Sequence, residues 1–232
     1  MPLQDKLRSI FGKQNEPSAP ARAQNAPAPG VSFLKHQRPA PPAVRTSRGL
    51  EQFFFNLQGR VGLSILDLAG ASQQNIDFLT SLGHKVYSGN VIRSMEECFG
   101  VDPAGQTNPS RIEFFLKSNF DYPSETFDGV LMWDSMQFMG PALLNSTVDR
   151  LADIMKPKSY LFAFFTMNDK VQEVQSYEFR IQDAKNLLVT ERGLRSTGHV
   201  FNNRSLEKLF GKFESVKFFL TRDNLREVIV RR

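Results

Sequence analysis

The sequence predicts an α/β domain whose mostly parallel sheet ends in an antiparallel hairpin, preceded by an N-terminal tail outside the fold. Short apolar segments alternate with amphipathic helices between residues 49 and 165, an order that favours parallel strands with helices on both faces. Two further apolar segments then flank Asp223-Asn224, which is a hairpin signal. The tail is indicated by its proline content, since eight of the thirteen prolines precede residue 49.

The individual elements follow from apolar spacing and from the residues at helix ends. We expect helices at residues 50–57, 72–82, 91–99, 142–155 and 203–210, and strands at residues 63–68, 85–88, 127–133, 160–165, 213–221 and 225–231. Two short strands at residues 177–181 and 187–189 are expected to form a flap above the sheet. Residues 111–117 stay open between helix and strand, because their apolar residues suit both patterns.

The composition excludes several classes of protein. The 232 residues are 41% hydrophobic, enough to bury an ordinary core. The single cysteine, Cys98, excludes an internal disulfide and a cysteine-built zinc site, and the three histidines are too scattered to suggest a metal site. There is no apolar run of membrane-spanning length and no apolar segment typical of a secretory signal. These observations predict a cytoplasmic protein without a metal.

The positive charge is concentrated in the tail. Residues 1–48 hold eight basic and two acidic residues, whereas residues 49–232 hold 21 basic and 22 acidic ones. A near-neutral domain makes nucleic acid an unlikely partner. Residues 15–44 are expected to be a disordered linker, which places the domain boundary at 48/49. Before it, Leu3, Leu7, Ile10 and Phe11 have helical spacing and suit docking to a protein partner or a membrane surface, or else a helix that folds back or frays.

The first candidate site follows the strand at residues 63–68. Asp67 ends this strand and is followed by the small residues Ala69, Gly70, Ala71 and Ser72. Small residues let a ligand approach the backbone, and the next helix offers free N–H groups and a positive dipole end. The segment therefore predicts a nucleotide-type crevice, or else a plain strand-to-helix turn. It has neither the G-x-G-x-x-G spacing nor a phosphate-loop lysine, which disfavours pyrophosphate or triphosphate binding.

The order of four segments resembles the class I S-adenosylmethionine-dependent methyltransferases. After Asp67 and its turn come residues 83–90 (GHKVYSGN), then residues 127–130 (FDGV), and then the helix and strand around residues 151–160 (LADIMKPKSY). The antiparallel hairpin after them is also typical of that family. The resemblance covers about residues 50–232. It implies a Rossmann-like methyltransferase fold, S-adenosylmethionine as the cofactor, and methyl transfer to an acceptor that the sequence does not identify.

The sequence departs from that family at several cofactor contacts. Asn90 stands where an acid usually holds the ribose hydroxyls, and an amide accepts with one oxygen only. Leu116 stands where an acid often contacts the adenine, with Asn119 nearby as a substitute. Lys158-Ser159 replaces a glycine pair, and alanines replace glycines in the first turn. The cofactor-binding residues that the resemblance implies are Asp67, Ala69, Gly70, Ala71, Asn90, Asn119, Phe120 and Trp133.

Four aromatic and polar residues are expected at the carboxyl-end rim of the sheet, where ligands bind in open α/β folds: Tyr122, Trp133, Asp134 and Gln137. Trp133 suits stacking on the cofactor or its sulfonium, or core packing. Asp134 is a candidate general base or a helix cap, and Tyr122 is a second catalytic candidate. In the flap, Arg180, Arg192 and Arg195 suit an anionic substrate or a solvated loop.

Two functional hypotheses follow from the sequence. The first is an enzyme that transfers a methyl group from S-adenosylmethionine to an unidentified small-molecule or protein acceptor. The second is a catalytically inactive methyltransferase-fold module that binds or regulates a partner. The retained Asp67 and the strand order favour the first, and the altered turn and Asn90 favour the second. Neither an Asn-Pro-Pro-Tyr pattern nor a Pro-Cys thiol is present, which disfavours exocyclic-amine and cytosine C5 methylation.

Overall fold

The domain is built around a six-stranded sheet, the main sheet, in the order β3-β2-β4-β5-β9-β8. The computed structural model describes residues 41–167, 173–199, 201–221 and 225–232. The strands of the main sheet are β2 (Ser64–Asp67), β3 (Lys85–Ser88), β4 (Phe127–Trp133), β5 (Met155–Thr166), β8 (Ser215–Leu220) and β9 (Leu225–Arg231). Strands β3, β2, β4 and β5 are parallel, and β9 and β8 complete the sheet in antiparallel pairing. This order confirms the predicted mostly parallel sheet with a closing antiparallel pair.

In the described part of the chain, six α-helices accompany the main sheet: α1 (Arg48–Leu57), α2 (Gln73–Ser81), α3 (Val91–Phe99), α4 (Pro109–Phe120), α5 (Pro141–Ile154) and α6 (Asn203–Leu209). The open segment is thereby settled as helix α4, because Asn108 caps it and Pro109 opens it in the position where proline costs no hydrogen bond. Ser72 and Asn90 cap α2 and α3 in the same way. Side-chain caps therefore fix the helix starts that directly follow β2 and β3.

A second sheet, the cover sheet, consists of β1 (Ala43–Thr46), β7 (Asn186–Ser196) and β6 (Glu173–Ile181), in the order β1-β7-β6. Strands β6 and β7 confirm the expected flap and are longer than predicted. Strand β1 corrects the expectation for residues 43–46, which the sequence analysis placed in the tail. These residues pair with Asn186–Val189 of β7, a partner that is about 140 residues away and that no local pattern reveals.

A buried carboxylate joins the start of the described chain to strand β9. Glu227 has no exposed surface, and its Oε2 accepts the Gly49 N–H at 2.6 Å while Oε1 lies 3.4 Å from Arg45 Nη2. Burial raises the pKa of Glu227, and these donors oppose that rise. A side chain at position 49 would place its Cβ 2.8 Å from the Phe162 ring and 2.9 Å from Glu227 Cβ, so only glycine lets α1 approach β9 this closely.

The apolar core lies on both faces of the main sheet. One face packs against α3, α4, α5 and α6 through residues such as Phe115, Leu151 and Phe210. The other face packs against α1 and the cover sheet, with Phe53 and Phe179 among its buried residues. Among the described residues, no helix combines the length and the hydrophobicity needed to span a membrane. The N-terminal helix predicted from Leu3 to Phe11 lies outside the described residues, and so does the hairpin turn predicted at Asp223-Asn224.

Candidate functional site

The candidate site is the crevice where the chain reverses its direction of travel across the main sheet. From β2 the chain moves to β3 on one side, and later returns to β4 on the other side. In open α/β sheets, ligands bind outside the carboxyl ends of the strands at such a switch point. In this protein the turn between β2 and α2 lies at the switch point, and we call the space beside it the crevice.

The turn is held against the end of β3 by backbone contacts. The Gly70 N–H donates to Gly89 O at 2.9 Å, and Ala69 forms an isolated bridge with Asn90. Gly70 has a φ of 98°, and a Cβ there would lie 3.1 Å from Asn90 Nδ2. Both the left-handed backbone and the close approach require glycine at this position. Gly70 is therefore required by the geometry of this turn, although it falls between the glycine positions of the methyltransferases that the sequence resembles.

Asp67 supports the turn from below. Its side chain is buried and accepts three hydrogen bonds, from Trp133 Nε1 at 2.6 Å, Asn75 Nδ2 at 2.9 Å and Ala69 N at 3.2 Å. Burial raises the pKa of Asp67, and the three donors oppose the rise. Asp67 is therefore a buried residue that fixes the turn through Ala69 and is itself held by Asn75 and Trp133.

Asn90 lies at the exposed side of the crevice. Its Oδ1 accepts the Arg93 N–H at 3.0 Å and so caps α3, while its Nδ2 makes no hydrogen bond to the described residues. The free amide hydrogens can donate to a ligand hydroxyl. Asn90 thus combines a structural role with a donor that faces solvent.

Trp133 is a correction to the expected cofactor contact. The residue has a φ of 52° and only 1% exposure, and its ring stacks on Phe179 of β6 at a centroid distance of 5.2 Å. A left-handed tryptophan is strained, and the indole hydrogen bond to Asp67 together with the stacking holds it there. Trp133 is therefore core packing beneath the cover sheet, the second of the two roles expected for it.

Asp134 and Gln137 are also covered. Asp134 is 1% exposed, burial raises its pKa to about 7, and its Oδ2 accepts the Tyr177 N–H of β6 at 2.9 Å. Its side chain does not cap the following 3₁₀ turn, Ser135–Phe138, so the helix-cap role is wrong. Gln137 has no exposed surface, and its Oε1 accepts the Thr166 N–H. As the structure stands, a general base at Asp134 has no open path to a substrate.

The prediction that Asn119, Phe120 and Tyr122 lie at the carboxyl-end rim is corrected by the structure. These residues lie at the amino ends of the strands, just before β4 begins. Arg150, close to the end of α5, donates to Phe120 O and Tyr122 O, and the Tyr122 ring packs against Phe127 at the start of β4. Asn119 donates its amide to Phe115 O within its own helix. Because residues 109–120 form a helix, the chain returns to the amino ends of the strands before β4 begins. These residues do not join the crevice.

The three flap arginines are engaged in ion pairs. Arg180 and Arg192 both contact Glu178, at 2.9 and 2.5 Å, and Arg195 pairs with Glu96 of α3. All three keep exposed surface, so these pairs contribute little stability. Their pairing favours the solvated-loop interpretation over substrate binding.

Sequence reasoning missed Asn75 as a member of the site. This buried residue of α2 donates to Asp67 Oδ2 and accepts the Ile181 N–H at 2.7 Å, and so connects the turn to the cover sheet. An asparagine on the buried face of an amphipathic helix is the signal that could have revealed it. Arg226, a charged residue in the apolar strand β9, was missed although it offered the same kind of signal.

Cavities also occur away from the crevice. One of about 610 Å³ lies between α4 and α5, and another of about 530 Å³ lies beside the carboxyl end of α1. Neither is lined by Asp67, Gly70, Asn90 or Trp133. Among the residues that the structure describes, no group of three or more histidine, cysteine or acidic side chains is placed to hold a metal ion.

Solved structures with a similar fold include several S-adenosylmethionine-dependent methyltransferases. The 1,6-didemethyltoxoflavin-N1-methyltransferase of Burkholderia thailandensis, crystallised with 1,6-didemethyltoxoflavin and S-adenosylhomocysteine, is 12% identical, with 80% of this chain and 77% of that chain covered and a TM-score of 0.44. A methyltransferase of Archaeoglobus fulgidus is 15% identical, with 79% of this chain and 91% of that chain covered and a TM-score of 0.46. A methyltransferase of Methanosarcina mazei is 13% identical, with 77% of this chain and 96% of that chain covered and a TM-score of 0.42.

No family model matches the chain, and no curated protein matches it. These three solved structures are similar to this chain in fold, at identities of 15% or less and TM-scores of 0.46 or less. The parallel strands β3, β2, β4 and β5, completed by the antiparallel β9 and β8, give the chain a Rossmann-like fold.

Proposed function

We propose that the protein binds S-adenosylmethionine at the crevice beside the β2–α2 turn and transfers its methyl group to an acceptor. The observation that carries this proposal is the switch point at β2, with Gly70 in a left-handed turn against Asn90. When bound, the cofactor supplies an activated sulfonium methyl group. The residues of this chain bind and orient, and catalysis comes mainly from proximity.

The residues at the turn fit one half of the cofactor. Asn90 Nδ2 is free to donate to a ribose hydroxyl, and the small residues Ala69, Gly70 and Ala71 leave the backbone open to approach. Asp67 keeps the turn in place from beneath. The adenine half of the cofactor has fewer candidate contacts, because Asn119 and Phe120 lie at the amino ends of the strands.

A second candidate function is a binding or regulatory module without cofactor binding. The observation that favours it is the covering of the rim by β6, where Phe179 stacks on Trp133 and the Tyr177 N–H bonds Asp134. An acceptor could approach the crevice from that side only if the cover sheet moved.

Calorimetric titration of the full chain with S-adenosylmethionine and S-adenosylhomocysteine decides between the two. Saturable binding at one site per chain supports the enzyme. An absence of heat at millimolar concentrations of both compounds contradicts it and leaves the module. Sodium chloride at equal ionic strength is the control for non-specific heat.

A further inference from the structure

Arg226 carries a buried positive charge that no acidic side chain of the described residues neutralises. The residue is 8% exposed and lies in β9, where its ladder partner is Phe165 at the carboxyl end of β5. Its Nη1 donates to Phe201 O at 3.2 Å, which is a neutral acceptor. No acidic side chain of the described residues forms an ion pair with Arg226, and its Nε is buried without a hydrogen-bond partner.

The neighbouring carboxylate cannot supply the missing charge. Glu227 is adjacent in sequence, but successive residues of a strand point to opposite faces of the sheet. Glu227 is instead occupied by the Gly49 N–H and by Arg45 on the α1 face. Burial of an unpaired guanidinium is unfavourable, and such charges are normally paired. A group from outside the chain is therefore the expected counter-charge.

A second unpaired donor lies at the same end of β5. Gln137 is fully buried and its Oε1 accepts the Thr166 N–H at 2.9 Å, while its Nε2 has no partner. Two residues three positions apart contact Gln137 and Arg226, since the Gly198 N–H donates to the backbone carbonyl of Gln137 and Phe201 O accepts from Arg226 Nη1. Arg226 and Gln137 are thereby placed around one region at the carboxyl-end rim.

The free side of the guanidinium defines the ligand. With Nη1 engaged, the edge formed by Nε and Nη2 is unpartnered among the described residues. That edge presents two parallel N–H donors that match a planar carboxylate. A single positive charge with a neutral amide suits a monoanion better than a phosphate dianion. The Phe165 and Phe201 rings, 4.8 Å apart, provide an apolar wall beside it.

We propose that Arg226, supported by Gln137, binds the carboxylate of an aromatic or otherwise apolar acid, and that this acid is the methyl acceptor. The second part rests on the proposed function. The first part, a carboxylate site at the rim of β5 and β9, is independent of it.

Benzoate and its neutral isostere benzamide test the carboxylate site in the full chain. Titration calorimetry should show benzoate binding at least about tenfold more tightly than benzamide, the preference expected of one charge-assisted pair. Arg226→Met should remove this preference. Arg231→Met is the matched control, because Arg231 lies on the same strand and is paired with Glu214 at 2.6 Å. It should leave the preference intact.

The thermal midpoint separates a binding role from a structural one. If Arg226 awaits a ligand, Arg226→Met replaces an unpaired buried charge with an apolar chain of similar length and keeps or raises Tm. A lower Tm with unchanged benzoate preference would show a structural arginine and overturn the proposal. Equal binding of benzoate and benzamide to the wild type would overturn it as well.

The two proposals fail in different ways. Binding of S-adenosylhomocysteine without a benzoate preference refutes the carboxylate site and leaves the methyltransferase intact. A benzoate preference that depends on Arg226, without S-adenosylhomocysteine binding, supports the site and refutes its assignment to a methyl acceptor. Mutual tightening of benzoate and S-adenosylhomocysteine supports both parts of the proposal.

Discussion

Replacing Trp133 by phenylalanine measures how strongly the covered rim depends on a single hydrogen bond. The change keeps an aromatic ring against Phe179 and removes the indole N–H, which lies 2.6 Å from Asp67 Oδ1. A hydrogen bond to a charged group contributes about 1.5–3 kcal/mol. In a chain of this size, each kcal/mol corresponds to about 2–4 °C, so we expect Tm to fall by roughly 3–12 °C.

The loss should depend on pH with a defined sign. Burial already raises the pKa of Asp67 above 3.8, and removal of a donor raises it further. An acid whose pKa is higher in the folded state costs stability above its unfolded pKa, and this cost is relieved as the pH falls. The loss of unfolding free energy should therefore be larger at about pH 8 than at about pH 4.5.

Urea unfolding at both pH values, with the same change made in an Asp67→Asn background, provides the assay. In that background the carboxylate is absent, and we expect a loss of about 0.5–1.5 kcal/mol, that of a neutral hydrogen bond. Equal losses at both pH values, or equal losses in the two backgrounds, would refute the view that an ionised Asp67 holds the indole.

Three further changes test other parts of the structure. Asn90→Asp keeps the α3 cap and adds an acceptor for the ribose, so S-adenosylhomocysteine should bind about tenfold more tightly by calorimetry, whereas the equivalent cap change Asn108→Asp should have no effect. Asp134 has a pKa of about 7 in the fold against 3.8 for the free group, so stability should fall as the pH rises between these values, and Asp134→Asn should abolish that fall in urea midpoints. Lys158 has a φ of 62°, so Lys158→Gly should relieve backbone strain and raise Tm slightly. Ser159 has no positive φ, so Ser159→Gly should lower Tm, and a fall of Tm in both variants would contradict strain at Lys158.

The elements were predictable because their signals are local. Apolar periodicity located β3, α3 and β4 at their observed bounds, and the helix predicted from Ser72 begins next to that residue, which caps it. The turn at Gly70 was likewise visible as a run of small residues after a strand that ends in an acid. Local chemistry thus predicted most strands and helices of the main sheet, but neither β1 nor the helical state of α4.

The other side of the crevice was not predictable because it depends on contacts between distant residues. Whether Trp133 faces a ligand or the core is decided by Phe179, which lies 46 positions further along the chain. Asp134 is closed in the same way by Tyr177. The position of Tyr122 was predicted wrongly because residues 109–120, before it, form helix α4. This helix carries the chain back to the amino ends of the strands.

The carboxylate of Glu227 has a consequence for the kinetics of the fold. Its partners Arg45 and Gly49 lie 182 and 178 positions away, so it is desolvated only after β1, α1 and β9 have met. Contacts of such separation form late, because the chain entropy of a long loop must be lost first. Interactions that are absent from the transition state slow unfolding and hardly change the folding rate. We therefore expect the loss of the Glu227 contacts to speed unfolding more than it slows folding.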